Sequence, residues 1–149
     1  MTHTTEEISS LPGVSRVALA PGGASFYIAP AMVRTVIRLL RDRFGFIHLS
    51  FLTAVDRVDE NLIELVYALY SYSEGLSLTA RVELGRAAPG VETISDIFRT
   101  ADWHERETAE MFGVKFLNHP DPRRLLLPEG VNAPLRKDYT NKEMIPLPH

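Results

Sequence analysis

The side chains best equipped for chemistry crowd into one stretch, residues 101–139. His104, Glu107 and Glu110 fall within two helical turns, and His119 follows them. His-x-x-Glu sets two ligands one turn apart, a start for a metal-bound water or an acid–base pair in a stand-alone metal-dependent hydrolase. The HExxH spacing of zinc proteases is absent, and no second His–Glu pair completes a cage. On a helix over 101–112, Trp103, Glu107, Glu110 and Met111 share one face. If that face packs inward, Glu107 loses water and needs a cation, with Arg123, Arg124, Arg136 and Lys137 as candidates in the arm that follows. Three readings stand: a metal or acid–base site, an ion-pair lock between helix and arm, and a solvated charged helix. The missing ligand spacing favours the lock.

Composition narrows the field. A chain of 149 residues with 45% apolar and 23% charged residues can bury one real core. A net charge of -3 argues against nucleic-acid binding, which needs a basic face to displace counterions. With no cysteine there is no disulfide, thiolate nucleophile or thiolate-held cluster, so any electron chemistry is expected on another chain. No apolar run reaches the roughly 20 residues of a membrane span. The first 13 residues lack the basic and apolar regions of a signal peptide, which points to the cytoplasm or the cytoplasmic face of a membrane.

The elements that must position the charged stretch can be read from periodicity. Thr4 or Thr5 with Glu6 and Glu7 predicts a short helix ended by Pro12-Gly13. Strands over 14–20 and 24–29 flank Pro21-Gly22-Gly23 as a hairpin, with no phosphate-loop motif around the glycines. Val33, Val36, Ile37, Leu40 and Phe44 form one helical stripe, Arg34, Arg38 and Arg41 take the solvated face, and Gly45 is the stop. Segments 46–55, 62–72 and 76–84 predict three strands with short links, hence antiparallel neighbours. Leu76, Leu78, Ala80, Val82 and Leu84 alternate inward, so one side of the sheet meets the core. A helical segment is expected around 93–99. The fold class is α+β: an antiparallel sheet with helices packed on one face in ββαβββα order, followed by an extended Pro-rich C-terminal arm.

Residues 1–117 form the α+β domain and 118–149 a docking arm belonging to the same structural unit. The arm holds six of the ten prolines, which deny it a long helix or a central strand. Yet Leu125, Leu126, Leu127, Val131, Leu135, Met144, Ile145 and Leu147 are apolar, so it must lie along something, its own sheet or another protein.

Glu105-Arg106-Glu107, Met111-Phe112-Gly113-Val114, Phe116, His119-Pro120, Arg123-Arg124-Leu125-Leu126, Pro128 and Pro134-Leu135-Arg136-Lys137-Asp138-Tyr139, with Trp103 ahead of them, carry a resemblance. This stretch resembles the signature of the C-subunit family in the peripheral arm of respiratory complex I (NADH:quinone oxidoreductase), with relatives in energy-converting nickel–iron hydrogenases. The resemblance implies an accessory subunit with no cofactor, metal or catalytic residue of its own. It would sit beside a large catalytic subunit (quinone-site or nickel–iron) and the terminal iron–sulfur subunit, on the cytoplasmic side, reaching the membrane only through the complex. NADH, FMN, iron–sulfur clusters and quinone, or a nickel–iron site, would belong to other chains of that proton-translocating assembly. The signature residues would brace the arm and its docking surface. A peptide-binding adaptor is the remaining reading from another class.

Overall fold

A five-stranded sheet forms the floor on which every helix is set. The computed structural model describes residues 2–20, 23–127 and 131–140. Helix α1 (Thr2–Ser9) leads into the hairpin of β1 (Val14–Ala20) and β2 (Gly23–Ile28). A single 3-10 turn at Pro30–Met32, opened by its proline, feeds α2 (Val33–Asp42), which buries the predicted Val33, Val36, Ile37 and Leu40. Strands β3 (His48–Arg57), β4 (Leu62–Ser71) and β5 (Leu76–Gly85) then run as an antiparallel meander. The five inward residues of β5 are all buried, as their alternation requires.

The strand order is β1-β2-β5-β4-β3, and the junction of β2 with β5 is parallel. The sheet is therefore mostly antiparallel, not wholly so as expected. The cause is α2: residues 29–47 are long enough to carry the chain back across the sheet, so β2 and β3 run the same way with β5 and β4 between them. Ile8, Ile37 and Leu40 from the helices join Ile63, Leu65, Tyr67 and Leu69 of β4 in one core. Glu64 lies on the opposite face of β4, almost fully buried by its own neighbours. Arg57 and Arg81 each bond one of its oxygens at 2.6 Å, and the Tyr27 hydroxyl donates at 3.3 Å.

Downstream of β5 the chain departs from the helix expected at 93–99. A short strand β6 (Gly90–Glu92) pairs in parallel with β7 (Lys115–Leu117), and the residues between β6 and α3 (Ala101–Phe112) form turns. Thr93 is the physical reason: its hydroxyl accepts from Ser95 N–H at 3.1 Å, a local bond that competes with helix formation. Ile94, Ile97 and Phe98 still reach the core. Helix α3 packs against the edge strand β3 and ends at Gly113, whose φ of 74° is the left-handed stop its residue type allows.

Candidate docking site

The inward stripe of α3 is Ala101, Glu105, Thr108 and Phe112, not the Trp103–Glu107–Met111 stripe. Trp103 is 61% exposed and Glu107 is exposed as well. The buried carboxylate is thus Glu105, and the expected pairing of Glu107 with an arm cation does not form. Glu105 can enter because partners wait for it. Ile94 N–H donates to its Oε1 at 2.7 Å, and the Thr93 hydroxyl donates to Oε2. Glu107 has no such donors among the described residues.

A helix–arm lock does exist, built mainly from backbone groups, with Arg106 Nη1 and Asp121 Oδ2 3.8 Å apart as an opposite-charge pair between helix and arm. The Glu110 carboxylate accepts from the N–H groups of Leu125 and Leu126. Arg106 donates to the carbonyls of Arg123 and Arg124 while its guanidinium covers the Trp103 ring at 5.6 Å. Farther along, Ala133 N–H donates to Glu110 O and Leu135 N–H to Met111 O, both at 3.0 Å, and Arg136 Nε reaches Phe112 O at 2.7 Å. The arm thereby caps the last carbonyls of α3, which no intrahelical donor can reach. The other predicted arm cations are engaged elsewhere: Arg123 bonds Asp121 twice, and Arg124 reaches Val131 O and the Asn132 side chain.

The lock fits closely at Gly113. A Cβ there would sit 3.3 Å from Arg136 Nη2 and 3.6 Å from Ala133 Cβ, at a left-handed φ. Gly113→Ala is expected to cost about 1–2 kcal/mol from backbone strain and to speed proteolysis in the arm. Urea denaturation and a timed trypsin digest check both parts.

The arm's far end is tied to the sheet at Asp56, the inward carboxylate near the end of β3. Arg86 Nε and Nη2 bond its two oxygens at 2.7 and 2.9 Å, and Lys137 N–H donates to Oδ2 at 2.8 Å. Arg86 holds the Asp56 carboxyl down to about 2, below the usual carboxylate range, and also clamps Asp138. Tyr139 N–H closes the turn on Arg136 O. Pro120 is exposed beside His119, and Pro128 lies outside the described residues, as do Met144, Ile145 and Leu147.

His119 joins α3 from the other side. Its side chain is 3% exposed, with Nε2 3.2 Å from Asp102 Oδ1 and 3.6 Å from Glu105 Oε2. Burial pushes the Glu105 carboxyl up to about 7 against the pull of its two donors, with the Asp102 charge adding to the rise. Glu105, Arg106, Gly113, Phe116 and His119 border a cleft of about 800 Å³. His104 and Glu107 instead line a smaller cleft of about 290 Å³ with Phe51, Met111 and Leu135. His104, Glu107 and His119 are therefore not brought together, and among the described residues no group of three His, Asp or Glu is placed to hold a metal.

Thr93, Ile94, Asp56 and Arg86 were missing from the expected site. Asp56 carried a readable signal, since it follows Leu52 and Ala54 in the inward phase of β3. The donors at 93–94 carried none.

Residues 26–144 match the family described as respiratory-chain NADH dehydrogenase, 30 Kd subunit. The chain belongs to this family. It is 32% identical over 140 residues to the C subunit of the F(420)H(2) dehydrogenase of Methanosarcina mazei, covering 89% of each chain. It is 36% identical to the second C subunit of the NADH-quinone oxidoreductase of Rhizobium meliloti, covering 92% of this chain and 78% of that one. In fold it is similar to a chain of the membrane-bound sulfane sulfur reductase, an archaeal respiratory membrane complex. That match has a TM-score of 0.84 at 23% identity and covers 93% and 85% of the two chains. A trypsin-resistant fragment of Nqo5 follows at 0.60 and 22%, covering 80% and 97%. The resemblance carried by the 30 Kd subunit signature thus holds across most of the chain, and so does the α+β class. No helix among the described residues is long and apolar enough to cross a membrane.

Proposed function

We propose that this chain is a cofactor-free accessory subunit in the hydrophilic arm of a membrane-associated, ion-translocating oxidoreductase. It docks through α3 and the arm onto the large catalytic subunit, beside the subunit with the terminal iron–sulfur cluster, on the cytoplasmic side. NADH, FMN, iron–sulfur clusters and quinone serve other chains of that complex. One observation carries this reading: the arm is locked to α3 through backbone groups, leaving Trp103, Leu126 and the 56%-exposed Leu135 outward on a braced surface. Large apolar side chains held outward by so many bonds are suited to a protein partner. A stable contact there would bury on the order of 800 Å² per partner.

The test is co-purification from cells carrying the tagged full chain. The combined Trp103→Ala and Leu135→Asp variant is expected to recover at least tenfold less of the large subunit while its melting temperature stays put. Equal recovery, or isolation of the wild type only as a free monomer, rejects the docking role.

A second reading concerns the electron donor. The Methanosarcina mazei relative matches over 89% of both chains, so a complex fed by F(420)H(2) is the alternative to one fed by NADH. Membranes lacking this chain would then lose oxidation of F(420)H(2) and keep that of NADH.

A further inference from the structure

The small sheet of β6 and β7 leaves one backbone edge unpaired. Lys115 N–H donates to Pro89 O at 2.9 Å, and Leu117 O accepts from Thr93 N–H at 3.0 Å, so residues 115 and 117 turn their peptide groups toward β6. The N–H and C=O of Phe116, between them, point the other way and meet no partner among the described residues. The Phe116 side chain sits in the core, which fixes this edge in place. Asn118, at a left-handed φ of 62°, then bends the chain away, and the residues after it do not pair with β7.

This edge opens on the cleft of about 800 Å³. Residues 113–119 border it on one side, and Arg106, Ala109 and Pro122 on the other. No residue of β6 borders it, so the cleft lies on the side that the Phe116 peptide groups face. A groove between a strand edge and a helix can take an extended peptide as an added strand, with main-chain bonds for affinity and side chains for selection.

Charge selects the occupant. Lys115 is exposed at the groove and has no ion pair among the described residues. Across from it stands Arg106, a second cation. The one carboxylate in the lining is Glu105, which is wholly buried and bonded to Ile94 and Thr93. The accessible charge is therefore positive on a chain whose net charge is -3. A second copy adding edge to edge would bring its own Lys115 beside this one, like charge against like charge.

We propose that an extended, acidic segment of a partner subunit adds to the Phe116 edge of β7 as a third strand. Its backbone pairs with the Phe116 N–H and C=O, and one of its carboxylates meets Lys115. This rests on the docking role proposed above and adds a contact apart from Trp103 and Leu135, neither of which borders the cleft.

The test compares the full chain alone with the complex in which it co-purifies. Deuterium uptake at the Phe116 amide, resolved by electron-transfer fragmentation, is expected to be at least tenfold slower in the complex. A zero-length carbodiimide is expected to couple Lys115 to an Asp or Glu of the partner. Lys115→Glu should lower recovery of that partner at least fivefold at an unchanged melting temperature, and Lys115→Arg should restore it. A complex that forms while the Phe116 amide exchanges as in the free chain overturns this proposal and leaves the docking role standing. A wild type that purifies only as a free monomer removes both. Coupling of Lys115 to Glu143 of the same chain would assign the groove to this chain's own C-terminal segment and also overturns the proposal.

Discussion

Asp56→Ala is expected to cost about 3 kcal/mol of stability and to lower the melting temperature by roughly 6–12 °C. The carboxylate is 1% exposed and ties three segments: β3, the residue after β5 through Arg86, and the end of the arm through Lys137 N–H. Truncation leaves Arg86 without its buried partner and Lys137 without its acceptor, so the arm should also become more sensitive to protease. The pH dependence supplies a second readout. Because Arg86 depresses the folded carboxyl below its ordinary value of 3.8 to about 2, the stabilisation is complete above about pH 4 and is lost as pH falls toward 2. Asp96 beside Arg34 titrates in the same window, but it contributes to wild type and variant alike. The difference between their acid-unfolding curves therefore reports Asp56 together with Asp138, which shares Arg86. An unchanged melting temperature would mean that the pair and the arm's tether contribute nothing net.

Legibility in this chain tracks how local each determinant is. The alternation in β5 and the stripe in α2 depend on residues two to seven apart, and both were readable. The parallel junction of β2 with β5 is settled by where a long crossover returns, and β6 and β7 have three residues each, too few to show a period. On α3 the choice of face was a contest between two stripes, one carrying Glu105 and the other Glu107 and Glu110. Trp103 and Met111 favoured the Glu107 face by apolar bulk. The winning face holds only Ala101 and Phe112 as apolar residues, and it wins because Ile94 and Thr93 supply donors for Glu105 from 11 and 12 positions upstream. The arm shows the same limit. Its prolines announced that its backbone would find no local partners, yet a charge pattern says nothing about carbonyls. An ion-pair lock on Glu107 was therefore expected where α3 offers the arm mostly carbonyls, the Glu110 carboxylate and the Arg106 guanidinium, which pairs with Asp121 as well.

The second large effect lies at Glu105, where removing the side chain and removing its charge should act in opposite directions. Glu105→Ala leaves the Ile94 N–H and the Thr93 hydroxyl buried without their acceptor and opens a void, for an expected loss of roughly 3 kcal/mol. Glu105→Gln keeps the shape and one acceptor oxygen, for the Ile94 N–H, turns its amide N–H toward the Thr93 hydroxyl oxygen, and cannot ionise. Wild type and Gln variant should therefore part company with pH. The folded carboxyl is raised by burial from 4.5 to about 7, so its contribution is fully present below about pH 4.5 and drains away as pH rises toward 7. The loss amounts to roughly 3 kcal/mol across that window. Stability measured by urea unfolding should fall over this range in wild type relative to Glu105→Gln, with other titrating groups cancelling between the two. Above pH 8 the Gln variant should be the more stable protein. A wild type that tracks the variant from pH 5 to 8 would show that water or a cation already meets Glu105, and the buried acid would then be an ordinary carboxylate.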